Sequence, residues 1–214
     1  MPQDNDALIE ELVAALHPVR PMRFTRGMTL VVAAAFATLV LVAATLGVRA
    51  DLLVGHFQPL WLFANGLFLL LGLAAAATVV TMARPQVGQP LEGWKWVAAA
   101  TFLLPLTTVI LLASRNLPVP RQWVSANDFD CVALGLGLGL LTAVALIAWL
   151  RRGAPVSTAR AGTLIGVASG SIGILAFALK CPSDSLYHVG IWHSSSVVIG
   201  GVLGRIAIPK VVAW

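Results

Sequence analysis

Polar residues along this chain gather in short clusters, and between the clusters run long stretches with almost none. Six stretches stand out: 28–48, 60–83, 94–113, 129–150, 162–179 and 190–208. Roughly 20 apolar residues in helical form cross a bilayer core about 30 Å thick, and each stretch is close to that length. The stretches are continuous and do not alternate, which argues against a barrel. In lipid the backbone must satisfy its own hydrogen bonds, as a helix does. The pattern therefore predicts an all-α integral membrane protein built as a six-transmembrane-helix bundle. The third stretch contains Pro105, expected to kink it. The fifth is rich in Gly and Ser. The sixth carries the most polar groups, with His193, Ser194, Ser195, Ser196 and Arg205 in or near it.

Ahead of the first stretch the pattern is different. Leu8, Ile9, Leu12, Val13 and Leu16 fall on one stripe of a helix. Asp4, Asp6, Glu10 and Glu11 lie beside the stripe or in the first turns, where negative charge suits the helix dipole. Asp4 or Asn5 can cap the start, and Pro18 and Pro21 end the helix and stiffen the link to the first span. So short a helix is unstable alone in water and needs something over its apolar face. Its polar face is acidic and the inner leaflet is anionic, so the bilayer is a poor cover. A groove on a cytosolic protein is a better one, and an acidic helix suits a basic partner such as a transcription factor. The expected division is a cytoplasmic segment over 1–27 and a transmembrane domain over 28–214. The segment before Met28 is too polar for a cleavable signal peptide, so the first span is expected to remain.

Composition agrees with lipid as the main solvent. Hydrophobic residues make up 58% of the 214, charged residues 11%, and the mean hydropathy is +0.89; soluble domains carry about 25% charged residues. The net charge of +5 would allow nucleic-acid binding. The bases, however, sit singly at the ends of apolar runs, so no direct nucleic-acid contact is expected. They orient the chain instead, because Lys and Arg favour the cytoplasmic side. Arg20, Arg23, Arg26, Arg84, Lys95, Arg151, Arg152, Arg160, Arg205 and Lys210 fall on the side of the N-terminus; Arg49, Arg115, Arg121 and Lys180 fall on the other. Ten against four places both termini in the cytoplasm, with the first, third and fifth loops facing outward.

The reactive groups then share the outer face. Cys131 opens the fourth span and Cys181 follows the fifth. That compartment permits disulfides, which need Cα atoms within about 7 Å. Asp128, Asp130, Asp184, Tyr187 and His188 lie on the same face, His193 about one turn inside the sixth span, and His56 in the first outer loop. Thiolate and imidazole donors suit zinc, copper or a cadmium-like soft ion. Cys131, Cys181, His188, His193 and Asp184 are the candidate ligands. The chain contains no CxxC, no HxxxH and no Cys-rich run, so the spacing does not specify a closed four-ligand zinc site. No cofactor is required, and a heavy-metal ion would be transient. The ordinary alternatives remain: each Cys as a small hydrophobe near a helix end, Asp184 as a turn former in "CPSDS", and His193 bonded to a neighbouring helix.

Other classes fit less well. No span carries Asp, Glu or Lys near its centre, as ion-coupled transport usually needs; a small metal or solute transporter stands as the alternative function. A quinone-linked thiol oxidoreductase would use CxxC pairs and a relay, and two cysteines 50 positions apart are too few, so no enzyme is expected. "GLGLGL" (135–140) and "GVASGSIG" (166–173) present small residues for close helix packing, within one chain or between two.

Three features together resemble the NrsF family (negative regulator of sigma F), membrane anti-sigma factors of proteobacteria. They are the tail "LIEELVAALHPVRP", the six spans, and "LKCPSDS" after the fifth span with a second cysteine at the start of the fourth. The resemblance implies a protein of the bacterial inner membrane that holds an extracytoplasmic-function sigma factor away from RNA polymerase. It implies release of that factor on an outer stress, typically metals or oxidants, with Cys131 and Cys181 as the sensor pair at the periplasmic face. It also implies that Leu8, Ile9, Leu12, Val13 and Leu16, flanked by Glu10 and Glu11, contact the sigma factor. It assigns nothing to the histidines or to Asp184.

Overall fold

The computed structural model describes residues 5–16, 21–84, 93–114 and 126–212, which form helices and turns with no strand among them. Asp4, Pro18, Arg20, Arg115 and Arg121, used above, lie outside the described residues. The helices are α1 (Asn5–Ala14), α2 (Phe24–Thr45), the short α3 (Ala50–Leu53), α4 (Pro59–Met82), α5 (Gly93–Ser114), α6 (Ala126–Leu150), α7 (Thr158–Phe177) and α8 (Ser194–Val212). A π-helical stretch, His188–His193, leads directly into α8.

Six of these segments are long and apolar enough to cross a membrane. The expected all-α, six-span architecture is the observed one. The first five spanning helices start one to four residues ahead of their apolar runs, where local chemistry allows. Pro59 opens α4 at its first turn, where its missing N–H is no loss. Ser157 caps α7 by accepting from the Arg160 N–H at 3.3 Å. Helix α5 runs through Pro105 as one element.

Helix α7 is the axis of the bundle, packing on α8, α6 and α4, and most of its residues are buried. Lipid gives helices no hydrophobic reason to associate, so close backbone contact between small residues supplies the packing. A Cβ at Gly166 would fall 1.9 Å from the Gly200 carbonyl oxygen of α8, and one at Gly173 would fall 1.9 Å from the Gly135 carbonyl oxygen of α6. Within "GLGLGL" the outer two glycines, four apart, face α7, while Gly137 has open space. The expected seams are contacts within one chain. Phe36, Leu70, Phe102, Leu140, Val144 and Ile206 are exposed on the outside of the spans, as a lipid-facing surface requires.

Helix α1 has no buried residue. Leu8, Ile9, Leu12, Val13 and Leu16 are 55% to 72% exposed, so the apolar stripe is uncovered. At the far end of α2, Gly47 takes a positive φ of 81° and turns the chain over the bundle toward the Cys181 segment.

Candidate functional site

Cys131 lies in the second turn of α6, and Cys181 follows α7. Both are buried, and they are not joined in a disulfide. Each sulfur approaches the same ring nitrogen: His188 Nε2 is 3.3 Å from Cys131 Sγ and 3.4 Å from Cys181 Sγ. The other nitrogen, His188 Nδ1, lies 2.8 Å from Asp128 Oδ1, one turn ahead of Cys131 on α6. A carboxylate accepts only, so this contact assigns a proton to Nδ1 and leaves Nε2 facing the sulfurs. The His193 ring stands edge-on to His188, centroids 5.0 Å apart. One donor atom from each of Cys131, Cys181, His188 and His193 falls within 4.8 Å of the other three, and all four residues are buried.

The π stretch makes this convergence. His188 and His193 are five residues apart, which on an α-helix separates side chains by about 140° around the axis. A π turn bonds residues five apart and brings them toward one side. Among the described residues neither ring nitrogen of His193 has a hydrogen-bond partner, although both are buried. A hydrogen bond from Cys131, opposed by burial and reinforced by His188, holds the Cys181 thiol below its ordinary pKa. Cys181 is therefore the more thiolate-like of the pair, and such a sulfur is the better nucleophile and ligand. A partly open cavity of about 520 Å³ reaches the site, lined by Asp128, Asp130, Cys131, Lys180, Cys181 and His188 among others.

Asp184 does not join the cluster. Its two oxygens accept from Arg49, at 2.7 Å for Nη1 and 2.5 Å for Nη2. The same guanidinium donates to both oxygens of Asp51, at 2.7 Å and 2.6 Å. Arg49 also donates to the Cys181 carbonyl at 3.0 Å, and its backbone N–H donates to the Leu179 carbonyl at 2.9 Å. Asp184 and then Asp51 raise the Arg49 pKa further above its ordinary value. Asp184 was expected as a ligand because it lies close to Cys181 in sequence; the two-oxygen match to a guanidinium claims it instead. The acid that touches the cluster is Asp128. Asp128 and Arg49 are the two site residues that the sequence places on this face without giving them a role. An arginine just after one span with acids on two loops of the same face was the available signal for the second.

Six apolar spans with a buried thiol–imidazole cluster at one end and an amphipathic helix ahead of the first span have the form of a multi-pass membrane protein with a polar site at one face. The profile of the family described as "NrsF: Negative regulator of sigma F" matches residues 12–214, and the chain belongs to that family. It is 28% identical to "Anti-sigma-F factor NrsF" of Caulobacter vibrioides (strain NA1000 / CB15N), over 98% of this chain and 97% of that one. No solved structure matches it.

Proposed function

We propose that this protein is an anti-sigma factor of the bacterial inner membrane, with both termini in the cytoplasm and Cys131 and Cys181 at the periplasmic face. It acts by binding and not by turnover. Helix α1 holds an extracytoplasmic-function sigma factor, and a metal or oxidant acting on the cysteine pair releases it. One observation carries the reading: two thiols 50 residues apart in sequence converge on a single imidazole at the end of the bundle away from the start of α2. Uncovered α1 offers a surface for the partner, and family membership supports a sigma factor as that partner.

The signal must favour one arrangement of the bundle over another by its own differential affinity. A tenfold change in sigma affinity needs about 1.4 kcal/mol, within reach of one bond between Cys131 and Cys181 or one shared ion. Joining the sulfurs ties the start of α6 to the segment after α7. The Gly173–Gly135 contact between α6 and α7 lies close by and would shift with it.

Pull-down from native membranes tests the partner. The full chain is expected to bring down a sigma factor, and a chain lacking residues 1–20 is expected to bring down none and leave the regulon on. Unchanged repression after that deletion would refute the docking role. Cys131→Ser with Cys181→Ser is expected to fix the output at one level whatever metal or oxidant is added. An intact response in the double variant would remove the cysteines from the sensor.

A further inference from the structure

We infer that Cys131, Cys181, His188 and His193 together form a four-ligand site for a soft divalent cation of the zinc class. Its regulatory meaning rests on Cys131 and Cys181 being the sensor pair; its existence rests on geometry alone.

Zinc is held tetrahedrally at about 2.0–2.1 Å by imidazole nitrogen and about 2.3 Å by thiolate. Donors on such a tetrahedron lie roughly 3.3–3.8 Å from one another. The two sulfur-to-His188 separations, 3.3 Å and 3.4 Å, already have that edge length. The remaining separations are at most 4.8 Å, so a shift of about an ångström closes the tetrahedron.

His193 is the independent observation. A buried polar group without a partner costs about 1–3 kcal/mol. Both His193 nitrogens are in that position, in a ring packed against His188 and facing the thiols. A bond from one of them to a metal removes part of the penalty and explains why the π stretch turns this ring inward. His188 has the matching outer partner: Asp128 holds its Nδ1 proton and aims Nε2 at the sulfurs, an arrangement that orients metal-ligating histidines and raises their basicity.

The donors select the ion class. Two sulfurs and two imidazoles favour zinc-, cadmium- or copper-like ions over magnesium or calcium, which take oxygen. Binding forms two metal–thiolate and two metal–imidazole bonds and releases the protons still held by the thiols to water. No electrons move. A divalent ion with two thiolates is neutral overall, which suits a buried site. The cavity beside Asp128 and Asp130 gives the cation an acidic approach.

The test uses the full-length protein, reduced and in detergent, titrated with Co²⁺ as a spectroscopic probe. One equivalent is expected to give tetrahedral visible bands with a sulfur-to-cobalt charge-transfer band, displaced by Zn²⁺ or Cd²⁺. His193→Gln, which keeps a side chain in the space, is expected to weaken binding at least tenfold and change the visible bands. Asp128→Asn is expected to weaken it about 10–100-fold, and His56→Ala to leave it unchanged. Zn²⁺ is also expected to protect both thiols of the unmutated protein from alkylation, a readout independent of any variant's folding. Absence of saturable Co²⁺ binding, or binding of unchanged strength and spectrum in His188→Gln and His193→Gln, overturns the four-ligand site. Sigma-factor pull-down on the same preparations separates the claims: metal binding without a captured sigma factor refutes the anti-sigma reading alone, and capture without metal binding refutes this site alone.

Discussion

Gly166→Val is expected to force α7 and α8 apart and to lower the thermal midpoint of the detergent-solubilised protein by more than any other single change in the seam. A Cβ at Gly166 would lie 1.9 Å from the Gly200 carbonyl oxygen, 2.5 Å from its carbon and 2.9 Å from the Gly201 Cα. All three obstacles are backbone, so no side chain can swing aside. Overpacking a tight interior typically costs about 1–3 kcal/mol, and a clash between two helix backbones belongs at the top of that range. The damage would spread, because Gly162 meets Gly204 one turn away on the same pair of helices. Gly137→Val is the internal control. It lies in the same kind of glycine-rich run, yet a Cβ there meets nothing within 4 Å, and the midpoint is expected to stay near that of the unmodified protein. If both variants melt alike, the glycine contacts do not hold the bundle.

The contrast between Gly137 and Gly166 shows where reading the sequence stops. Six apolar runs and their lengths are written in hydropathy, and so is the stripe from Leu8 to Leu16. That Cys131 and Cys181 share one end of the bundle follows from counting spans. Which glycine of "GLGLGL" faces a neighbour depends on the rotation of α6 about its axis, which is set by α7. The same limit applies to the cluster. His188 and His193 have a spacing that an α-helix would splay apart, and only the π stretch aligns them; nothing in "HVGIWH" announces that stretch. Asp128 and Asp184 are both acids near a cysteine in sequence, and only Asp184 is a candidate ligand on that basis. Helix α6 carries Asp128 one turn from Cys131, on the side of His188, whereas the loop after α7 delivers Asp184 to Arg49. On sequence alone Arg49 is one outward charge among four, because a two-carboxylate clamp requires loops distant in sequence to meet.

That clamp carries the second large effect. Arg49→Gln is expected to destabilise the protein by about 2–3 kcal/mol, most of it from Asp184. Removing one partner of a fully buried ion pair costs about 3–5 kcal/mol, and exposed pairs are worth about 0–1. The Arg49 and Asp184 side chains are 13% and 14% exposed, which sets the expected value toward the buried end. Asp184→Asn in the Arg49→Gln background should cost much less than it does alone, since the acid left unpaired is then neutralised; neighbours in one network couple in this way. A loss within about 0.5 kcal/mol for Arg49→Gln, the usual range for surface changes, would mean that the clamp holds nothing. Acid sensitivity gives a second readout. Arg49 holds the Asp51 carboxyl below its ordinary range, so Asp51 adds stability above its unfolded pKa of about 3.9. That contribution falls as pH drops through the lower folded value. Arg49→Gln should flatten this part of the acid profile. Arg49 also joins the turn after α2 to the Cys181 carbonyl and to Asp184 three residues further on. Helix α2 leads back to the tail that carries α1. Under the function proposed above, cutting the clamp is expected to uncouple α2 from Cys181, and the expected signature is a sigma factor still bound but released less by the signal. Full release in a folded Arg49→Gln protein would remove the clamp from the path of the signal.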